Sequence, residues 1–506
     1  MHRLRILVLM CAGAATAAAQ TAGGLTLAKA IDSTLSLHPL LGVSRQQVAL
    51  RQGIRREVSG AFDRLYQSGG RQSYSHAPAL DSSLRFRNDG VNSTSVDGAA
   101  MKLYRNGVTA GPTAVVSRTR SPLLTPDGLN LSRMAFEVSV PLRRNAATQV
   151  IARENSATQE VDAARFDLNQ TAANLLAETA VRYWELRGAL LLLDVFLGSE
   201  RRGETFLEMT QTLIQAERIP RNDINLVRAN LAGRTATRIE SEQAVIAARQ
   251  ALAYAMGLVP EEMQRLADPA ADLPESASIP GEDAIRAYVS RALARRTDYQ
   301  AAQRRVAAAR ALVPGAENQT RPSIDVVLSS GYSGLRAGAA PTSTLASLFR
   351  GVGGADAIAS LRYEFAPANN TALGRLAQVT ATVRQAELQA SDLARSITAD
   401  VNVAGQAVRN AALRTERARE SVAAFQDALA AERDKYTLGF GSLVDILTTE
   451  DRLTQALVLQ VRAQIDYAQA LADLRQATGT ILEPDADLTT LVGANLERDF
   501  RSAPKP

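Results

Sequence analysis

The sequence has few residues that could support catalysis or metal binding: of 506 residues, one is cysteine, Cys11, and three are histidines, His2, His38 and His76. Cys11 and His2 lie in a segment that we expect export to remove, so disulfide, thiolate, triad and histidine-metal chemistry have almost nothing to be built from. His38, which precedes Pro39, and His76 are expected to be solvated or helix-capping. The sequence therefore predicts no catalytic residue, no metal site and no cofactor, and indicates that the chain is not an enzyme.

Long apolar runs and an excess of one charge are also lacking. Past the N-terminal segment, no stretch approaches the roughly 18 consecutive apolar residues of a membrane helix. The 57 Lys and Arg residues nearly balance the 52 Asp and Glu residues, and the two signs are interspersed, which argues against nucleic acid as a partner. Glu450 and Asp451 are adjacent in a helical stretch, where neighbouring side chains diverge by about 100°, so we expect solvated charges rather than a catalytic pair.

The N-terminus has the features of an export signal. Residues 1–19 combine a basic start, a short apolar run and the small-residue exit Ala17-Ala18-Ala19, which is the pattern of a cleavable signal peptide. The apolar run is too short to span a bilayer. A lipid anchor at Cys11 is disfavoured because Met10 stands where that processing requires a small residue.

The rest of the chain reads as two copies of one unit. A helical run that begins at Asp223 ends at Gly257, and a second run begins at Asp445 and ends at Gly479, so that one offset of 222 positions relates the two. The predicted organisation is a signal peptide (1–19), a first repeat (20–267), a linker rich in Pro, Asp, Glu and Ser (268–280), a second repeat (281–482) and a C-terminal tail (483–506).

Each repeat is predicted to contain one amphipathic helix, two strands and a long helical hairpin. The first helix runs from Leu25 to about Gly60 in one copy and from Asp283 to about Val313 in the other. No proline interrupts the stretch between Pro141 and Pro220 or that between Pro367 and Pro484. Runs of about 70 residues form helices of about 105 Å.

The long helices are predicted to pack as antiparallel coiled coils. They are rich in alanine, whose small side chain permits close approach, and apolar residues recur at three- and four-residue steps, as at Leu453, Leu457 and Val461. A helical bundle with a sealed core has the same pattern.

Three segments alternate apolar and polar residues with the period of a strand. Phe136 and Val138 share one face of the segment 134–140, Ile324 and Val326 one face of 323–329, and Leu361, Tyr363 and Phe365 one face of 360–365. A fourth strand is expected between Arg71 and Arg87. Strands of a membrane barrel alternate in this way, and so does a half-buried soluble sheet.

Four strands cannot close a barrel, because about eight is the working minimum. We therefore predict a barrel shared between subunits, in which three copies supply 12 strands above a tube built from the long helices. The segments from Asn88 to Thr125 and from Gly334 to Gly354, rich in Gly, Ser, Thr and Pro, are predicted to be the strand-connecting loops outside the cell.

The segment from Tyr436 to Leu447, with Gly439, Ser442, Asp445 and Ile446 between them, is similar to the hairpin-tip signature of the outer membrane efflux protein family of TolC type. Ile219 to Asp223 resembles the tip of the first repeat, and Leu25 to Leu40 the opening helix. The resemblance extends over nearly the whole chain past residue 19.

The resemblance implies a mainly α fold with a membrane β part: a homotrimer whose long antiparallel helical hairpins form a trimeric α-barrel below a shared 12-stranded outer-membrane β-barrel. It implies a passive exit duct in the cell outer membrane, with a large periplasmic part, for small molecules or polypeptide. The implied partners are outer-membrane lipid, a periplasmic adaptor (membrane fusion) protein and an inner-membrane pump of RND or ABC type. In such proteins the hairpin tips close the tunnel, which makes Tyr436, Gly439, Asp445, Arg221 and Asp223 the candidate residues of the periplasmic entrance.

Asp445 has two interpretations. Repeated by threefold symmetry, its carboxylate makes a ring of negative charge at a constriction; alternatively, it offsets the dipole of a helix N-terminus, as Asp223 could also do. The chain has Thr448 and Gly441 where some members of the family carry a second aspartate and a basic residue. The competing function for the whole chain is a coiled-coil scaffold of the periplasm or cell surface without a pore.

Overall fold

The computed structural model describes residues 24–504 except 81–84, 123–124, 218–220, 276–278, 339–341, 439, 489–490 and 492. The predicted signal peptide and the candidate tip residue Gly439 thus lie outside the described residues. The prediction of a mainly helical chain with long helical hairpins is confirmed. None of the described helices combines the length and apolar composition that a membrane-crossing helix needs. The helices are α1 (Leu27–Leu37), α2 (Pro39–Ser59), α3 (Ala146–Gln215), α4 (Asp223–Ala255), α5 (Pro260–Met263), α6 (Glu282–Arg295), α7 (Thr297–Gln319), α8 (Thr342–Arg350), α9 (Asn370–Thr437), α10 (Leu443–Ala477) and α11 (Gly493–Phe500).

The single opening helix predicted for each repeat is wrong, because both are broken. His38 is extended between α1 and α2, since a residue before proline disfavours helical geometry. Its Nδ1 accepts the N–H of Leu40 at 3.3 Å, so His38 caps α2. Arg296 is extended in the same way between α6 and α7.

The helices form four side-by-side columns. In α3, 70 residues span about 105 Å, and in α9, 68 residues span about 102 Å. Against α3 pack α2 and α4, end to end, on one side and α7 and α10, also end to end, on the other; α9 lies beyond α7 and α10. The close spacing of α3 and α10 depends on Gly188, because a Cβ there would lie 2.2 Å from Ile465 Cδ1.

Two glycines end α4 and α10 in the same manner. Gly257 has φ +74° and Gly479 has φ +63°, and the N–H of the following residue bonds back to Ala253 and to Arg475, which closes the helix end in a Schellman-type motif. Each glycine also touches backbone: an added Cβ would lie 2.6 Å from His38 Cα at one and 3.0 Å from the Arg296 nitrogen at the other. Both glycines thus pack on the break between the two opening helices.

The described strands form one antiparallel sheet in the order of the sequence. The predicted number of four strands is wrong, since the sheet has six. Three predicted segments lie in strands as expected, whereas the segment predicted as a loop, Asn88 to Thr125, forms most of two further strands, and the strand expected after Arg71 begins earlier. The strands are β1 (Arg64–Leu80), β2 (Phe86–Leu103), β3 (Thr109–Ser121), β4 (Thr125–Pro141), β5 (Ser323–Ala337) and β6 (Val352–Glu364).

The turn between β2 and β3 is attached to the helices. Arg105 forms a two-point hydrogen-bonded ion pair with Glu154 of α3, at 2.6 and 2.9 Å. The Asn145 side chain donates to the Asn106 carbonyl at 2.9 Å. The second segment predicted as a loop, Gly334 to Gly354, contains α8 as well as strand ends, and α8 packs on β4 and β5.

Candidate functional site

The sheet has one polar face, defined here as the face that carries Arg133. On this face Arg133 Nη2 lies 2.6 Å from Asp356 Oδ1 and donates to Ser329 Oγ at 3.0 Å, which links β4, β5 and β6. The strand register places every carboxylate that has a described side chain and a paired position on the same face as Arg133. These carboxylates are Asp97, Glu137, Asp325, Asp356 and Glu364.

The opposite face, called the apolar face below, exposes large hydrophobic side chains. Leu361 is 67% exposed and Phe136 53% exposed. An isolated soluble sheet does not leave so continuous an apolar surface uncovered. The apolar face includes Val96 and Ala100 of β2, Ala114 and Val116 of β3, Met134, Phe136 and Val138 of β4, Ile324, Val326 and Leu328 of β5, and Leu361 and Tyr363 of β6.

Tyrosines bound the apolar face at two levels. On β1, Tyr66 and Tyr74 are eight residues apart, about 27 Å along the strand. Followed across the register, the row of Tyr66 reaches β6 six residues from Tyr363, and the row of Tyr74 reaches β5 six residues from Tyr332. Six residues are about 20 Å along the strand, and the five and four strand spacings measure about 24 and 19 Å, so the two lines lie at about 40° and 46° to the rows.

At the other end of the chain, the structure brings two of the predicted tip residues together. Tyr436, in the last turn of α9, lies with its ring centroid 6.4 Å from that of Phe206 of α3, and its hydroxyl is buried without a hydrogen-bond partner among the described residues. Burial, and secondly the negative charge of Asp223 at the start of α4, raise the pKa of Tyr436. The two hairpins therefore meet at Tyr436 and Asp223.

The other predicted tip residues are not brought together within one chain. Arg221 is exposed and forms no ion pair with a described residue. Asp445 is exposed in the first turn of α10, where it raises the pKa of Lys435 after the larger effect of Glu432. Gly441 is required by packing, because a Cβ there would lie 2.8 Å from the Tyr436 nitrogen.

A buried ionic cluster joins the four long helices above the tips. Glu450 of α10 is 4% exposed and accepts a hydrogen bond from Arg202 of α3. Its carboxylate also lies 3.5 Å from Arg234 of α4 and 3.3 Å from Arg433 of α9. The prediction that Glu450 is a solvated charge is therefore wrong, while the carboxylate of Asp451 is about half exposed and lies 3.1 Å from Arg234.

One signal in the sequence could have indicated part of this cluster. In a helical hairpin, residues equally far from the turn lie at the same height, and Arg433 and Glu450 are equally far from the second tip. Arg202 and Arg234 are likewise equally far from the first tip. Which heights of the two hairpins coincide depends on tertiary packing, so the sequence alone does not bring the three arginines to Glu450.

Among the described residues, no group of three or more His, Cys, Asp or Glu side chains is placed to hold a metal ion. The two-faced sheet and the cluster at the tips are thus the features that the fold offers for function. The first can separate an apolar from a polar environment, and the second can hold hairpins together or release them.

Comparisons with known proteins find a family and a fold. Residues 288–480 match the family described as outer membrane efflux protein. The outer-membrane channel OprN is 18% identical, with a TM-score of 0.67 and 90% of each chain covered. The CmeC outer membrane channel of Campylobacter jejuni is 12% identical, with a TM-score of 0.66 and coverage of 94% of this chain and 89% of that one. The MtrE outer membrane channel of Neisseria gonorrhoeae, in its open state, is 17% identical, with a TM-score of 0.63 and coverage of 91% and 90%. No curated protein matches the chain.

Proposed function

We infer, from the family match over residues 288–480 and the shared channel fold, that this chain belongs to the outer membrane efflux protein family, and we propose that it is one subunit of an outer-membrane efflux channel. The observation that supports this function is the two-faced sheet. A strand set with all its carboxylates on one face and uncovered apolar side chains on the other suits a water-filled lumen on one side and lipid on the other.

The tyrosine levels support the same placement. Aromatic residues concentrate at the two interfaces of a bilayer, and strands of membrane barrels tilt by about 35–45°. Lines of about 40° and 46° across the register match that tilt. The sheet would therefore stand in the outer membrane with the helices in the periplasm.

We propose a homotrimer. The sheet ends at the unpaired edges of β1 and β6, which run antiparallel and so can pair between neighbouring copies. The outer helix columns leave apolar side chains exposed, among them Ile239 and Ile246 on α4 and Leu388 and Val403 on α9, which neighbouring copies would bury. With six strands in each chain, three copies supply 18 strands rather than the 12 expected from the sequence.

The helical tips are proposed as the periplasmic entrance. Tyr436 and Asp223 would couple the two hairpins of one chain, Arg221 and Asp445 would face neighbouring copies or the adaptor, and the chain would supply a passive duct for a periplasmic adaptor and an inner-membrane pump. The Glu450 cluster would hold α3, α4, α9 and α10 in the closed arrangement. No residue in this scheme performs chemistry, since the pump would supply the energy.

Reconstitution of the purified protein in planar lipid bilayers tests the function. We expect the protein to require detergent for solubility and to give discrete ion-conducting steps, with larger or more frequent openings in the variant Glu450→Gln because the helices at the tips are released. Asp451→Asn is the matched control and should conduct like the unaltered protein. Protein that stays soluble without detergent and gives no current would favour the scaffold without a pore.

A further inference from the structure

We propose that the apolar face carries, at its end beyond Tyr332, a binding site for the phosphate groups of outer-leaflet lipids, built from Arg118, Arg336 and Arg350. The site rests on the proposed membrane placement of the sheet. Lipid contact with the apolar band follows from that placement already; a site for an anionic head group is a separate property.

The strand register places two of these arginines side by side. Arg118 of β3 pairs with Asn130 of β4, which pairs with Arg336 of β5. The two arginines are therefore two strands apart, about 10 Å, on the same face. Arg336 lies four residues beyond Tyr332, about 13 Å along the strand, which puts both guanidinium groups just past the upper tyrosine level.

Helix α8 brings the third arginine to the same place. It packs on the apolar face, where Ser347 Oγ donates to Ser132 Oγ at 2.8 Å and its backbone lies so close to Gly334 that a Cβ there would be 2.1 Å from the Ser347 carbonyl oxygen. The helix ends with Phe349, which is 85% exposed, and the exposed Arg350. An exposed aromatic ring followed by a cation suits the boundary between acyl chains and head groups.

The charges around these arginines favour an anion from outside the protein. None of the three forms an ion pair with a described residue, whereas Arg133 on the polar face is paired with Asp356. The carboxylates placed by the register all lie on the polar face, so the apolar face provides none at the described paired positions. Guanidinium groups bind phosphate oxygens in a two-point geometry, and each cation near an anionic lipid surface adds favourable energy.

The double variant Arg118→Gln with Arg336→Gln, and the triple variant with Arg350→Gln added, test the site. Native mass spectrometry of the detergent-solubilised protein would measure binding of bisphosphorylated lipid A, of dephosphorylated lipid A and of inorganic phosphate. At about fivefold for each arginine, we expect the double variant to bind bisphosphorylated lipid A on the order of 25-fold more weakly and the triple variant on the order of a hundredfold more weakly. The control Arg71→Gln with Arg362→Gln, on the polar face, should bind within about twofold of the unaltered protein.

Three outcomes would overturn the lipid site: equal binding of the dephosphorylated lipid, unchanged binding by the triple variant, or saturation by inorganic phosphate, which would indicate a site for the free anion. Bilayer conductance of the same preparations separates this result from the proposed function. If the triple variant conducts normally and still prefers the phosphorylated lipid, the lipid site alone is wrong. If the unaltered protein gives no current, the proposed function is wrong.

Discussion

At the scale of single residues, the strongest determinant near the tips is Glu450. Replacing it by Gln leaves Arg234, which is 9% exposed, without its buried counter-charge, and breaking a buried ion pair in this way costs about 3 kcal/mol or more. We expect faster hydrogen exchange along the tip halves of α4 and α10, measured by mass spectrometry. Exchange in α1 and α6, far from the cluster, serves as the internal reference.

The neighbouring carboxylate provides the control for that measurement. Asp451 also pairs with Arg234, at 3.1 Å, but its side chain is about half exposed, and exposed pairs contribute about 1 kcal/mol or less. Asp451→Asn should therefore leave hydrogen exchange nearly unchanged. Equal effects of the two substitutions would show that burial of Glu450 does not matter to the hairpins.

The sequence could predict part of the tip at this scale. Tyr436, Asp223 and Asp445 were found because a local signature marks a helix start, and local signals survive folding. Glu450 was missed because its neighbours on one helix do not reveal a carboxylate that three other helices surround. The exposed side chain of Asp445 also leaves both of its interpretations, the charged ring and the helix dipole, as proposals.

At the scale of helices and turns, Gly257 and Gly479 are expected to tolerate no side chain. An L-residue at positive φ is strained, and the added Cβ would also press on the backbone of His38 or Arg296. Alanine at either position should lower the free energy of unfolding by about 1–2 kcal/mol, seen as earlier loss of helix on heating. Gly233→Ala in α4 is the control: nothing lies within 4 Å of its Cβ position, so it should gain up to about 1 kcal/mol. Neutral behaviour of Gly257→Ala would contradict the packing argument.

The turn between β2 and β3 should loosen in acid. The hydrogen bond and charge of Arg105 hold the pKa of Glu154 below its ordinary value of 4.5. Because the folded pKa is lowered, the stabilisation is complete above the ordinary value and is lost as the pH falls through the lowered one. Hydrogen exchange at Tyr104 to Val108, corrected for its intrinsic pH dependence, should therefore rise below about pH 4.

Glu154→Gln is the test of that cause. The variant should show a loosened turn at neutral pH and no further change in acid, because no charge is left to lose. A wild-type turn that stays protected down to pH 3, or a variant with the same acid response, would mean that Asn145 and the strand ladder hold the turn without the ion pair.

The elements themselves were predictable where side chains alternate strongly or lack prolines. Strands β4, β5 and β6 have apolar alternation, and α3 and α9 are uninterrupted. Strands β2 and β3 were taken for a loop because Gly, Ser, Thr and Pro dominate from Asn88 to Thr125. Their stability comes from backbone ladders to β1 and β4 and from the Arg105 attachment, neither of which composition displays.

At the scale of the whole molecule, the helix columns and the sheet should have equal widths if they form one continuous tube. Four columns spaced by about 9–10 Å cover about 36–40 Å. Six strands spaced by about 4.8 Å and tilted by about 40° cover about 38 Å, whereas four strands would cover about 25 Å. The two added strands thus match the sheet to the helices in each copy.

This match predicts the diameter of the assembled particle. Three copies with 18 strands give a backbone cylinder about 36 Å across, against about 24 Å for 12 strands. Electron microscopy of the protein in lipid nanodiscs, averaged with threefold symmetry, measures that diameter directly. A cylinder near 24 Å would require β2 and β3 to leave the barrel, and deletion of residues 88–121 would then leave the diameter unchanged. If the 18-stranded closure is correct, the same deletion should narrow the cylinder toward 24 Å, because the ring of helices would have to join a sheet only two thirds as wide.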